Sequence, residues 1–147
     1  MADLPAKLAD LLATLDLATD RSERIQVLID LAERFREVPP EVARRPFAEK
    51  HRVPGCESEA FVWARRRDDG TVALHFAVEN PQGISAKALA VILDQTLSGE
   101  APEAVARVPP DVVLRIFGAE LSMGKSMGLM GLVSMAQAET RRAFVAG

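Results

Sequence analysis

Two β-prone runs, Ala60 to Arg67 and Thr71 to Glu79, are joined by Asp68-Asp69-Gly70. An Asp-Gly pair between such runs is a hairpin signal, because glycine accepts the positive φ that a tight turn requires. Along the second run Val72, Leu74, Phe76 and Val78 share one face, and Thr71, Ala73, His75 and Ala77 share the other. His75 thus lies on the less apolar side, with no acidic or thiol neighbour two residues away, and reads as a solvated or hydrogen-bonded surface residue. A small sheet of this kind needs helices to cover it. The pattern therefore predicts an α+β fold: a small antiparallel sheet of about three strands, packed by N- and C-terminal helices.

The helices are legible on both sides. Leu4, Leu8, Leu11, Leu12 and Leu15 recur at helical spacing. Asp20 is a good N-cap for a second helix, with Glu23 completing a capping-box-like start. Ile25, Leu28, Ile29, Ala32 and Phe35 mark its buried face, and Pro39-Pro40 stop it. Glu41 to Gly55 reads as a charged, proline-punctuated loop. After Asn80-Pro81-Gln82-Gly83, the segment Ile84 to Leu97 is a helix apolar nearly all round through Ala88–Leu93, with Gly99 as its C′ residue. Pro102, Pro109 and Pro110 bracket short helical pieces. Ser122 caps a last helix running to about Arg142. Within it Gly124, Gly128 and Gly131 are unfavourable by propensity, which close backbone packing would offset. There are no internal repeats, and 147 residues predict one domain, 1–147.

The chain has a single cysteine, Cys56, in Arg52-Val53-Pro54-Gly55-Cys56-Glu57-Ser58. Pro-Gly is a turn signal, so the thiol is expected at or just past a loop tip, where it can reach another molecule. One cysteine cannot form an internal disulfide or supply a cysteine pair for zinc. Lys50-His51-Arg52 places positive charge nearby, which favours the thiolate, while Glu57 and Glu59 act in the opposite sense. Most lone cysteines are inert and buried, so the residues alone leave a reactive and a structural Cys56 both open. A net charge of −3 argues against a nucleic-acid partner held by phosphate neutralisation. The absence of a long uncharged apolar stretch argues against a membrane span, and a single cysteine with no signal-peptide pattern predicts a cytoplasmic setting.

Ala119-Glu120-Leu121-Ser122-Met123-Gly124-Lys125-Ser126 approaches the G-x-x-x-x-G-K-[ST] phosphate-binding loop, with Val112 to Phe117 resembling the strand before it. The first glycine is replaced by Ala119, and Glu120 would repel phosphate where backbone N–H groups should wrap it. No ATP or GTP binding is expected.

Arg52-Val53-Pro54-Gly55-Cys56-Glu57-Ser58-Glu59 resembles the cysteine segment of the SufE family, sulfur-acceptor proteins of iron–sulfur cluster assembly. The resemblance extends from about Arg24 to Arg142. It includes Arg24–Leu31, the hairpin, Ser85-Ala86-Lys87-Ala88-Leu89, Leu97-Ser98-Gly99-Glu100-Ala101-Pro102-Glu103, and Leu121–Leu129. Glu57 and Glu59 stand where the family usually has glutamines. Lys125 stands where an arginine is usual, keeping the charge but losing the bidentate fork.

The resemblance implies a sulfur carrier and activator of a cysteine desulfurase rather than a free-standing enzyme. Cys56 would accept persulfide sulfur and pass it to a downstream cluster-assembly scaffold. The protein would hold no metal and no cofactor of its own, the PLP belonging to the desulfurase, and would act as a monomer or weak homodimer. At rest Cys56 would fold into an apolar recess between its loop and the helices. His51, Arg52 and Lys125 are weaker candidates for steering or thiolate stabilisation. Two other readings stay open: a thiol-dependent enzyme with His51 as base, and a module that binds a desulfurase without carrying sulfur.

Overall fold

The computed structural model describes residues 4–18, 20–118 and 121–145. In chain order the elements are α1 (Ala6–Asp16), α2 (Arg21–Ala32), a 3₁₀ turn (Glu49–His51), β1 (Ala60–Arg66), β2 (Val72–Val78), α3 (Ile84–Leu97), α4 (Pro102–Ala106), α5 (Val112–Phe117) and α6 (Met123–Val145). This is the expected α+β class, with a smaller sheet. No helix among the described residues is long and apolar enough to cross a membrane.

β1 and β2 form an antiparallel pair in register from Ala60↔Val78 to Arg66↔Val72. Gly70 has φ +81°. The Asp69 carboxylate accepts from the Thr71 hydroxyl at 2.6 Å and from its backbone N–H at 3.0 Å. These two bonds hold the Asp69 carboxyl below its usual value.

The expected third strand is not formed. Arg52 makes a single bridge to Phe61, and the Val53 N–H donates to Ala60 O at 2.9 Å. Pro54 follows, with no N–H to extend the ladder. On the other edge the Val38 N–H donates to Phe76 O at 2.8 Å, and Pro39 ends that contact in the same way. Prolines thus limit each flanking segment to a token pairing, and both edges stay covered without a third strand.

Val72, Leu74, Phe76 and Val78 face the main core, with Leu8, Leu12 and Leu15 of α1 and the buried run Ala88–Leu93 of α3. Each fully buried leucine contributes about 1.5–3 kcal/mol. Asp20 caps α2 by accepting from the Glu23 N–H at 2.9 Å. The buried face of α2 agrees with the expected one at Leu28 and Ala32 and differs elsewhere. Leu28, Leu31 and Ala32 are buried, whereas Ile25 and Ile29 are exposed and line a groove of about 480 Å³ beside Ile84 and Phe117. The helix ends at Ala32, well before Pro39. Beyond it the chain turns to run beside β2, and Val38 packs with Phe61, Trp63 and Ala77.

The outer face of the hairpin is therefore not a solvent face. Val42, Ala43 and Phe47, from the charged loop, pack on that cluster. Phe47 lies 5.0 Å from Trp63 and 5.3 Å from Phe61, centroid to centroid. His75 is half-buried here, and loss of hydration lowers its pKa from the ordinary 6.5, with Arg65 and Arg67 adding to the shift.

Val112–Phe117 is helical, so the phosphate-loop lookalike lacks the strand that motif requires. Ala119 and Glu120 lie outside the described residues. Ser122 caps α6 as expected, accepting from the Lys125 N–H at 3.2 Å.

Candidate functional site

Cys56 is not at an exposed tip. It is 8 % exposed and belongs to the main core cluster, although Pro54, Gly55 and Glu57 around it are exposed. The turn is where the residues place it, with Gly55 at φ +69°. What turns the thiol inward is α6.

The α6 glycines form the bed of this loop. A Cβ at Gly128 would lie 3.4 Å from both Cys56 Cα and Gly55 O, and one at Gly131 would lie 3.2 Å from Val53 Cγ1. Each glycine costs the helix roughly 1 kcal/mol in propensity relative to alanine. At these two positions the cost is offset by the close approach of the loop. Gly124 differs: nothing lies within 4 Å of its Cβ position, so loop packing does not account for it.

The far side of the loop is tied to the end of the hairpin. The Glu59 N–H donates to Cys56 O at 3.1 Å, and the Asn80 N–H donates to Ser58 O at 3.1 Å. The Asn80 side-chain amide donates to Glu57 O at 3.2 Å. A Cβ at Gly83 would lie 2.8 Å from Val78 Cγ1 and 3.0 Å from Ser58 Cβ, so only glycine fits where the loop meets the start of α3. Glu59 has φ +53°, in the left-handed region that costs a non-glycine residue about 1–2 kcal/mol. Gly55 is therefore not alone in the loop in adopting positive φ.

The residues named beside Cys56 divide. His51 does not stand free. Its Nδ1 lies 2.8 Å from Glu139 Oε1 and 3.0 Å from Val62 O, and its ring centroid lies 5.2 Å from that of Trp63. Both atoms facing Nδ1 are acceptors, which assigns the proton to Nδ1. That nitrogen is not available to take a thiol proton, which leaves only Nε2 for that role in the thiol-enzyme reading. Arg52 spreads its charge over Glu59 at 3.6 Å and Glu49 at 3.9 Å, with its guanidinium 5.8 Å from the Phe61 ring centroid. Lys125 is exposed in the first turn of α6, one helical turn before Gly128.

Nothing in the sequence singles out Glu139. It is 4 % exposed, and its Oε2 lies 2.6 Å from Arg142 Nη1 without a directed hydrogen bond. At the charged C-terminal end of the helix, a glutamate among Ala138, Thr140, Arg141 and Arg142 reads as solvated surface. Only the meeting of α6 with the turn before the cysteine reveals it.

This arrangement has relatives among known proteins. A family model described as "SufE: Fe-S metabolism associated domain" matches residues 9–140. The solution structure of a hypothetical protein from Thermus thermophilus is similar, at 32% sequence identity and a TM-score of 0.76. The alignment covers 97% of this chain and 98% of that one. No curated protein matches the chain.

Proposed function

The chain belongs to the SufE family, a family of iron–sulfur metabolism, and from that premise we propose that it is a sulfur acceptor working through Cys56. Its donor is a PLP-dependent cysteine desulfurase, which it also stimulates, and its product is sulfur delivered to cluster assembly in the cytoplasm. The observation that carries this reading is the lone thiol of Cys56, set on a Pro-Gly turn yet folded against the glycines of α6. A carrier needs both halves of that arrangement. The turn lets the sulfur reach a partner, and the bed hides the loaded sulfur from reductants.

The transfer is a thiol exchange. The Cys56 thiolate attacks the outer sulfur of the desulfurase persulfide. A new S–S bond forms on Cys56, the old S–S bond breaks, and the desulfurase cysteine leaves as its thiolate. Electrons and atoms balance with no external oxidant, and neither a metal nor a second cysteine in this chain takes part. Gly55 and Glu59, at either end of the loop, are the hinge positions: Gly55 takes either sign of φ without strain, and Glu59 holds a positive φ that an extended loop would relax. Arg52 and Lys125 steer the docking partner by charge. Glu57, next to Cys56 in sequence, and Glu59, 3.6 Å from Arg52, weaken that steering and bear on which desulfurase is accepted.

The test is direct. The protein is incubated with a cysteine desulfurase and cysteine, and its intact mass and tryptic peptides are read. One additional sulfur atom on the Cys56 peptide is expected. Desulfurase stimulation with no sulfur ever found on Cys56 would replace the carrier with a non-carrying docking module.

A further inference from the structure

The buried carboxylate of Glu139 has no part in the exchange just described, yet it sits where the cysteine arm crosses α6. His51 ends the 3₁₀ turn, and Arg52 and Val53 then pair with β1 before the turn at Gly55. Glu139 Oε1 faces His51 Nδ1 at 2.8 Å, and Arg142 lies 2.6 Å from Oε2. Val53 is fully buried over Gly131, and Cys56 lies over Gly128. The arm is thus laid along α6 at three successive places. Two are van der Waals contacts with glycines, which shape the seat but supply little attraction each. The third is a directed polar contact between side chains 17 % and 5 % exposed, where the carboxylate is costly to leave without its partner.

We infer that Glu139 is a positioning residue: acting through His51, it clasps the cysteine arm to α6 and sets how often the Cys56 thiol emerges. The inference rests on the reading of Cys56 as the reacting thiol for its meaning, but not for its test. Opening the arm separates His51 from Glu139 and exposes a carboxylate that Arg142 already partly compensates, so the open state remains reachable. A desulfurase that pulled the arm away would work against this pair first.

The measurement is the rate of Cys56 alkylation by iodoacetamide under native conditions, with no desulfurase present. Glu139→Leu keeps the site filled and removes the acceptor, while the His51 Nδ1–H keeps Val62 O. Alkylation is expected to rise about tenfold, and His51→Ala is expected to do the same. The double variant should be no faster than the faster single one, since both break one contact. His51→Asn should stay near the parent rate, because the asparagine amide nitrogen occupies nearly the place of Nδ1 and can donate to Glu139. A merely structural histidine would show no such rescue. Leu12→Ala, in α1, serves as a destabilised reference and should alkylate at the parent rate.

Parent-like rates in Glu139→Leu would overturn the clasp. So would additive effects in the double variant, or acceleration by Leu12→Ala equal to that of Glu139→Leu, which would mean access by global unfolding. Sulfur acceptance is not read in these samples. Failure here leaves the carrier standing, and failure of sulfur uptake leaves the clasp standing.

Discussion

Gly55 and Gly70 sit in turns of nearly the same chemistry, with φ of +69° and +81° and open space where a Cβ would be. Their neighbours end in opposite environments. Asp69 stays in water and satisfies its turn locally through Thr71. Cys56 is drawn into the core, because α6 presents glycine where the loop lands. Turn chemistry fixes where the chain reverses. Whether the reversal ends in solvent or in a seat depends on what another element presents to it.

The largest expected effect separates the two turns by function. Cys56→Ala should lose all sulfur uptake from a desulfurase, while Asp69→Ala should keep it, both read by intact mass. Alanine is a cleaner substitution than serine here. A serine hydroxyl placed at a site 8 % exposed without an assured partner would cost roughly 1–3 kcal/mol, and confuse loss of chemistry with loss of fold. Sulfur retained by Cys56→Ala would remove the cysteine from the mechanism.

Next in size is a test of the seat. Gly128→Leu should push the loop off α6, speed iodoacetamide alkylation of Cys56 and cost about 1–3 kcal/mol by overpacking. Gly124→Leu, on the same helix but in open space, should leave alkylation unchanged and gain up to about 1 kcal/mol of helix propensity. Equal alkylation in the two variants would show that the glycine bed does not hold the thiol.

A smaller effect is expected at the solvated turn. Gly70→Ala strains a positive-φ position and should cost about 1–2 kcal/mol in urea melts, with no change in Cys56 alkylation. A change in alkylation would mean that the two turns are coupled through the hairpin, and the contrast between them would fall.

The smallest expected effect lies on the outer face of the same hairpin. Burial holds His75 below its ordinary pKa of 6.5. The unfolded chain therefore binds this proton more readily, and stability rises with pH wherever it does. The contribution is fully present above the ordinary value and is lost as pH falls below it. His75→Gln should flatten the change in urea midpoint between about pH 7.5 and pH 5.5. An unchanged slope would show that this face is wetter than its aromatic cover implies.

Much of the fold is legible in the sequence because its signals are local. The Asp-Gly hairpin, the Asp20 and Ser122 caps and the all-round apolar run of α3 each rest on residues a few positions apart. The misreadings share a different cause. Ile25 and Ile29 look like core by periodicity, but of that face only Leu28 and Ala32 are buried in α2, joined by Leu31. The expected count of about three strands fails because the segments beside the hairpin carry Pro54 and Pro39, which leave only single pairings. His75 looks solvent-facing because nothing near it in sequence announces that Val42, Ala43 and Phe47 will fold over that face.

At the site, the sequence by itself determined the thiol, its turn and the strand that follows. It also flagged Gly128 and Gly131 as helix residues that needed a reason. Only the tertiary structure decided which helix receives the thiol, that those glycines are its seat, and that His51 is taken by Glu139. The physical reason is range. Turn and capping preferences act over a few bonds and are written in neighbouring residues. Burial of a side chain and pairing of a buried charge depend on which surfaces meet, and here residues of the cysteine arm meet residues of α6 that lie far along the chain.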